Sequence, residues 1–168
     1  MAIIILEGCD NTGKTQIGTE LSNRIGYPYF KLKREQVWIQ KENAACVQSA
    51  HAFQLQFFYE FARQIDFNVI LDRFFPSEWV YGSLFRKVDE DLIWDYDRKF
   101  AALNTHIVIL TKDDDKLDDE LFDSSRLKLI NEKYKEFVNK SACKILYLKT
   151  DDEDLEREIK EITNFLKT

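Results

Sequence analysis

The chain has 168 residues, 45% of them hydrophobic and 14% aromatic, with only two prolines and five glycines. That composition excludes disorder and a turn-rich all-β sandwich, and the length is that of one ordinary domain. The net charge of −6, from 24 basic and 30 acidic residues, argues against nucleic acid as the main ligand, because a phosphate backbone recruits a basic face.

In chain order, the first predicted strand is Ile3-Ile4-Ile5-Leu6. No basic stretch precedes it, and it is too short for a signal peptide. No apolar run approaches the ~18 residues of a membrane span. The protein is therefore read as cytoplasmic, with no membrane partner. A helix is predicted over 14–25, where Ile17, Leu21 and Ile25 recur four apart and Gly26 stops it. Tyr29-Phe30-Lys31-Leu32, after Pro28, is a weaker strand. A second helix over 44–64 carries Val47, Ala50, Phe53, Phe57, Phe58 and Phe61. Val69-Ile70-Leu71, Ile107–Leu110 and Ile145–Leu148 are further apolar strands, of the kind covered on both faces. Residues 113–120 are strongly acidic and read as a solvated loop entering a helix, or as part of a short lid over 112–126. The last helix carries Leu155, Ile159, Ile162 and Leu166, with Asp151 or Asp152 to cap it. Strands alternating with helices predict an α/β fold with a largely parallel sheet, undivided over 1–168.

Cys9, Cys46 and Cys143 are odd in number and scattered, and neither His51 nor His106 lies near them in sequence. Free thiols in a reducing compartment are expected, and a structural zinc site is not.

Directly after the first strand stands Gly8-Cys9-Asp10-Asn11-Thr12-Gly13-Lys14-Thr15, the pattern GxxxxGK[ST] with a helix behind it. Glycines let the loop aim successive amides inward as an anion nest, and the helix adds its positive dipole end. Lys14 is placed to reach β- and γ-phosphates, and the Thr15 hydroxyl to coordinate Mg²⁺. A nucleoside-triphosphate site is predicted, with ATP as co-substrate. The second cluster is Asp72-Arg73-Phe74-Phe75-Pro76-Ser77, closing the Val69 strand. An acidic residue at the carboxyl end of a parallel strand borders the ligand crevice and can serve Mg²⁺. Arg73 beside it offers a fork for a transferring phosphoryl group. Lys31, Lys33 and Arg34 form a basic group near the same crevice, suited to an acceptor's phosphate.

Gly8-x-Asp10-x-x-Gly13-Lys14-Thr15 followed by Asp72-Arg73-Phe74-x-x-Ser77-x-x-x-Tyr81 resembles the thymidylate kinase family, and Tyr134-x-x-Phe137 extends the similarity. The resemblance implies a five-stranded parallel sheet flanked by helices. It also implies transfer of the ATP γ-phosphate to a deoxynucleoside monophosphate, dTMP above all, with Mg²⁺. By position, Asp10 would accept the acceptor's 3′-hydroxyl, Asp72 would serve the metal, and Arg73 the phosphate in transit. Tyr81 would crowd the 2′ position, and Lys33 or Arg34 would meet the acceptor phosphate. Relatives are commonly dimers.

The base pocket and the lid depart from that family. Phe53 falls near the stacking position and Phe57 near a polar one, where it cannot donate to a base edge; Gln54 or Gln56 could. The lid interval offers Lys112, Lys116 and Arg126 among acidic residues. The alternative reading is a deoxynucleoside kinase acting on a 5′-hydroxyl. It needs a general base, for which Glu35, three residues before Trp38, is the candidate.

Overall fold

The computed structural model describes residues 2–31, 44–117 and 122–168, the side chains of 44–51 excepted. The chain runs β1 (Ile3–Glu7), α1 (Lys14–Ile25), β2 (Tyr29–Lys31), α2 (Ala44–Gln64) and β3 (Val69–Asp72). It continues with α3 (Phe75–Phe85), α4 (Glu90–Ala101), β4 (Thr105–Thr111), α5 (Ser124–Lys140), β5 (Lys144–Lys149) and α6 (Leu155–Phe165).

The five strands form one parallel sheet in the order β2-β3-β1-β4-β5. Alternate residues of β1 supply two cores. Ile3 and Ile5 pack with Leu71, Phe75, Phe100 and Phe137 under α2 to α5. Ile4 and Leu6 pack with Ile17, Leu21, Ile159 and Ile162 under α1 and α6. This three-layer α/β sandwich is the predicted one.

Helix ends follow local chemistry. Asp89 accepts from Leu92 N, Asp123 from Arg126 N and Asp154 from Arg157 N, each satisfying an otherwise orphaned first-turn amide. The cap of α6 is thus Asp154, not Asp151 or Asp152, because a cap must precede the first helical residue, here Leu155. Asp151 instead accepts from Asp113 N, and Asp152 pairs with Arg157. Cys9 and Cys143 are buried, while the Cys46 side chain lies outside the described residues. Among the described residues, no helix is long and apolar enough to cross a membrane.

Candidate functional site

The loop between β1 and α1 is built by backbone constraints at its two glycines. Gly8 has φ +129°, and a Cβ there would stand 2.1 Å from the Leu110 carbonyl oxygen of β4, so no side chain fits. Gly13, at φ +86°, caps α1 without a side-chain bond, which leaves the first-turn amides directed at the loop. Thr12 Oγ1 donates to the Cys9 carbonyl at 2.8 Å and tightens the turn. Lys14, only 7% exposed, folds its ammonium back to the carbonyl oxygens of Gly8, at 3.1 Å, and Cys9. Burial, reinforced by nearby Arg73, lowers its pKa to about 8 against the opposing pull of Asp10, Asp72 and Glu7.

The register of β1 on β3 brings the second cluster to this loop. Leu6 lies opposite Asp72, and Arg73 N donates to Leu6 O at 2.9 Å. Arg73 leaves the strand at φ +69°, an αL conformation that a non-glycine residue adopts only where its surroundings impose it. Its guanidinium then reaches Asp10 Oδ1 at 2.5 Å, Tyr81 Oη at 3.2 Å and Ser77 Oγ at 3.4 Å. It also lies 5.4 Å from the centre of the Tyr81 ring. Burial pushes the Tyr81 phenol up to about 12 despite that cation.

Asp72 is 1% exposed. Its Oδ2 accepts from Tyr29 Oη at 2.6 Å and from Thr15 Oγ1 at 3.4 Å, with the Lys31 ammonium 4.0 Å away. Lys31 in turn donates to Thr15 Oγ1 at 2.9 Å. Asp72 Oδ1 is buried without a hydrogen-bond partner, and a carboxylate whose Oδ2 meets a threonine hydroxyl supplies the oxygen donors that suit a hard cation. No group of three or more His, Cys, Asp or Glu side chains gathers among the described residues. A partial protein shell fits Mg²⁺, which keeps waters and takes its remaining oxygens from phosphates.

Sequence reasoning missed Glu7, the last residue of β1. It is fully buried. One carboxylate oxygen accepts from Phe74 N at 2.7 Å and Ser77 N at 3.3 Å, the other from Ser77 Oγ at 2.5 Å and Tyr134 Oη at 3.0 Å. Burial raises its pKa, and Arg73 and these donors oppose the rise. Glu7 therefore anchors the start of α3, and with it the chain segment bearing Arg73. The available signal was a charged residue ending an otherwise wholly apolar strand. Tyr29 and Thr150 were also missed. Thr150 Oγ1 lies 3.2 Å from the carbonyl oxygens of both Thr12 and Thr111, tying the loop to the end of β4.

The other expected residues are placed as follows. Lys33, Arg34, Glu35 and Trp38 lie outside the described residues. Phe53 and Phe57 are 71% and 61% exposed and stack in a row with Phe61 along α2. Phe58, one position on, is the ring that turns inward, against Phe74 and Phe100. Gln54 is half-buried, and Gln56 is held by Tyr96 and Glu60. Of the lid, 118–121 lie outside the described residues. At its flanks Lys116 pairs with Asp151 at 3.8 Å and Arg126 with Asp123 at 3.9 Å. Phe122 packs on Phe85 and Tyr81, so the end of this segment rests on the helix that follows Arg73.

No family model and no curated protein matches the chain. Solved structures do. A YorR protein from Bacillus subtilis, in complex with phosphorylated GDP, superposes with a TM-score of 0.74 at 23% identity, over 98% of this chain and 95% of that one. A deoxyadenosine kinase from M. mycoides, with its products dCMP and a flexible dCDP bound, gives 0.58 at 21% identity over 99% and 98%. A thymidylate kinase from Candida albicans gives 0.62 at 14% identity over 98% and 90%. What these proteins share with this chain is its fold, a five-stranded parallel sheet between two layers of helices.

Proposed function

We propose that this protein is an ATP-dependent phosphotransferase that moves the γ-phosphate to a deoxynucleoside monophosphate, dTMP first among them, as one kinase domain over 1–168 working in the cytoplasm. The observation that carries the reading is the convergence of Lys14, Thr15, Asp72 and Arg73 on one loop, with Thr15 3.4 Å from Asp72 and Arg73 2.5 Å from Asp10. Fold neighbours that act on or bind nucleotides support it, as do the two motifs and their spacing.

Phosphoryl transfer asks little covalent chemistry of the protein; two polyanions must be aligned and their charge neutralised. The amides from Gly8 to Gly13 cradle the triphosphate, and Lys14 exchanges its loop carbonyls for phosphate oxygens. Thr15 and Asp72 would hold Mg²⁺, whose charge would offset that of the phosphates. Arg73, steered by Asp10, Tyr81 and Ser77, meets the group in transit. Asp10 accepts the acceptor's 3′-hydroxyl, Tyr81 excludes a 2′-hydroxyl, and Lys33 or Arg34 binds the acceptor phosphate. Phe53, Gln54 and Phe57 are the candidates on α2 for the base, and Lys116 and Arg126 those of the lid over 112–126. A homodimer would fit the same reading.

A nucleoside acceptor is the second reading, favoured by the match along nearly the full length of a deoxyadenosine kinase. An ADP-release assay with Mg²⁺-ATP against dTMP, dUMP, dCMP, dAMP, dGMP and the corresponding nucleosides separates the two. Turnover with monophosphates alone is expected. Turnover with nucleosides alone would overturn the first reading for the second, and no turnover with any acceptor would overturn both.

A further inference from the structure

We propose that Tyr29 is a positioning residue that sets the Asp72 carboxylate for the metal; the inference rests on the Mg²⁺ seat proposed above. Asp72 closes β3 with a buried side chain that could rotate about its own bonds. The Tyr29 hydroxyl donates to Oδ2 at 2.6 Å, a short, charge-assisted bond. With Oδ2 claimed by Tyr29, Oδ1 is the atom left without a partner. The hydroxyl thereby fixes the rotation of the carboxylate and holds in place Oδ2, the oxygen that meets the Thr15 hydroxyl.

A second feature of the chain serves the same contact. The Tyr29 ring lies against α1 where Gly18 stands, and a Cβ on Gly18 would sit 2.3 Å from Tyr29 Cε2. Gly18 has an ordinary helical conformation and no turn to make, so space for the ring is what glycine provides there. Glycine is a poor choice for a helix interior on propensity alone. A helix-weakening residue is thus kept where it admits the ring that holds Asp72. Partners of this kind, bound to a ligand rather than to the metal, commonly set metal affinity by tenfold or more.

The test titrates Mg²⁺ into each protein with a fluorescent ATP analogue and compares binding of the same analogue in EDTA. Tyr29→Phe removes only the hydroxyl. Gly18→Ala strengthens the helix locally but displaces the ring. Each is expected to raise the Mg²⁺ midpoint about tenfold while affinity in EDTA stays at the wild-type value. Equal losses with and without Mg²⁺ would mean a merely structural tyrosine and overturn the proposal. So would a wild-type midpoint in Tyr29→Phe beside a shifted one in Asp72→Asn. A shift in Gly18→Ala alone would also overturn it, by assigning the effect to ring packing. A wild-type midpoint in Asp72→Asn would remove the metal seat itself, and this inference with it.

Discussion

Lys14 shows how a single buried charge is tuned. Its ammonium is lodged among loop carbonyls, and burial together with Arg73 brings its pKa to about 8. A bound polyphosphate favours the protonated form, so nucleotide affinity is expected to weaken as pH rises through about 8 and to hold steady below. Titration of ATP binding from neutral to alkaline pH checks this, and Lys14→Ala should lose both the affinity and its alkaline fall. Arg73→Ala should lower kcat by about 10³-fold or more if Arg73 neutralises the transferred group, in the range of arginine fingers. The purified variant's far-UV spectrum should be unchanged. Arg73→Lys should recover little, because the contacts to Asp10 and Tyr81 use two arms of a planar fork.

At the scale of elements, the site depends on the junctions of strands with helices. Glu7 joins the end of β1 to the start of α3 and to Tyr134 of α5. Glu7→Ala leaves several buried donors without an acceptor and should cost roughly 3 kcal/mol in urea unfolding. Asp89→Ala, which removes an exposed cap of α4 remote from the loop, should cost about 1 kcal/mol and leave turnover untouched. The two variants together separate a junction that carries the site from one that carries only a helix. The helical spacing of α1 and α2 was visible in the sequence, and both helices have the predicted bounds. Helix α3 was not, because Phe75, Pro76, Trp79 and Val80 bury several sides of it and leave no polar stripe to reveal a period.

The whole molecule has a site end and an opposite end, and they respond to pH differently. His106 enters β4 far from the loop, beside Ile4 and Lys144, with its ring edge-on to Phe165 at 5.3 Å. It is 2% exposed, and burial, with the Lys144 charge, lowers its pKa. A folded pKa below the unfolded value means that the unfolded chain takes up the proton first. This contribution to stability is therefore present above about pH 6.5 and lost as pH falls below it. Thermal melts at successive pH values should show a shallower acid decline for His106→Leu than for the wild type, with turnover at neutral pH retained.

What the sequence alone determined is local and periodic. The apolar strands, the helices over 14–25 and 44–64, and the loop Gly8–Thr15 between a strand and a helix could be read because their signals lie within a dozen residues. The pairing of Asp72 with Thr15, of Arg73 with Asp10 and of Glu7 with Ser77 and Tyr134 was decided only in three dimensions. Asp72, Arg73 and Ser77 stand far from their partners in the chain and meet them because β3 lies beside β1 in parallel register, which sets Asp72 opposite Leu6, while Tyr134 reaches Glu7 from α5. Tyr29 belongs to the same class, since its reach to Asp72 depends on a glycine eleven residues earlier making room for its ring. Periodicity reports which side of an element is buried; which oxygen faces which hydroxyl is a property of the packed sheet.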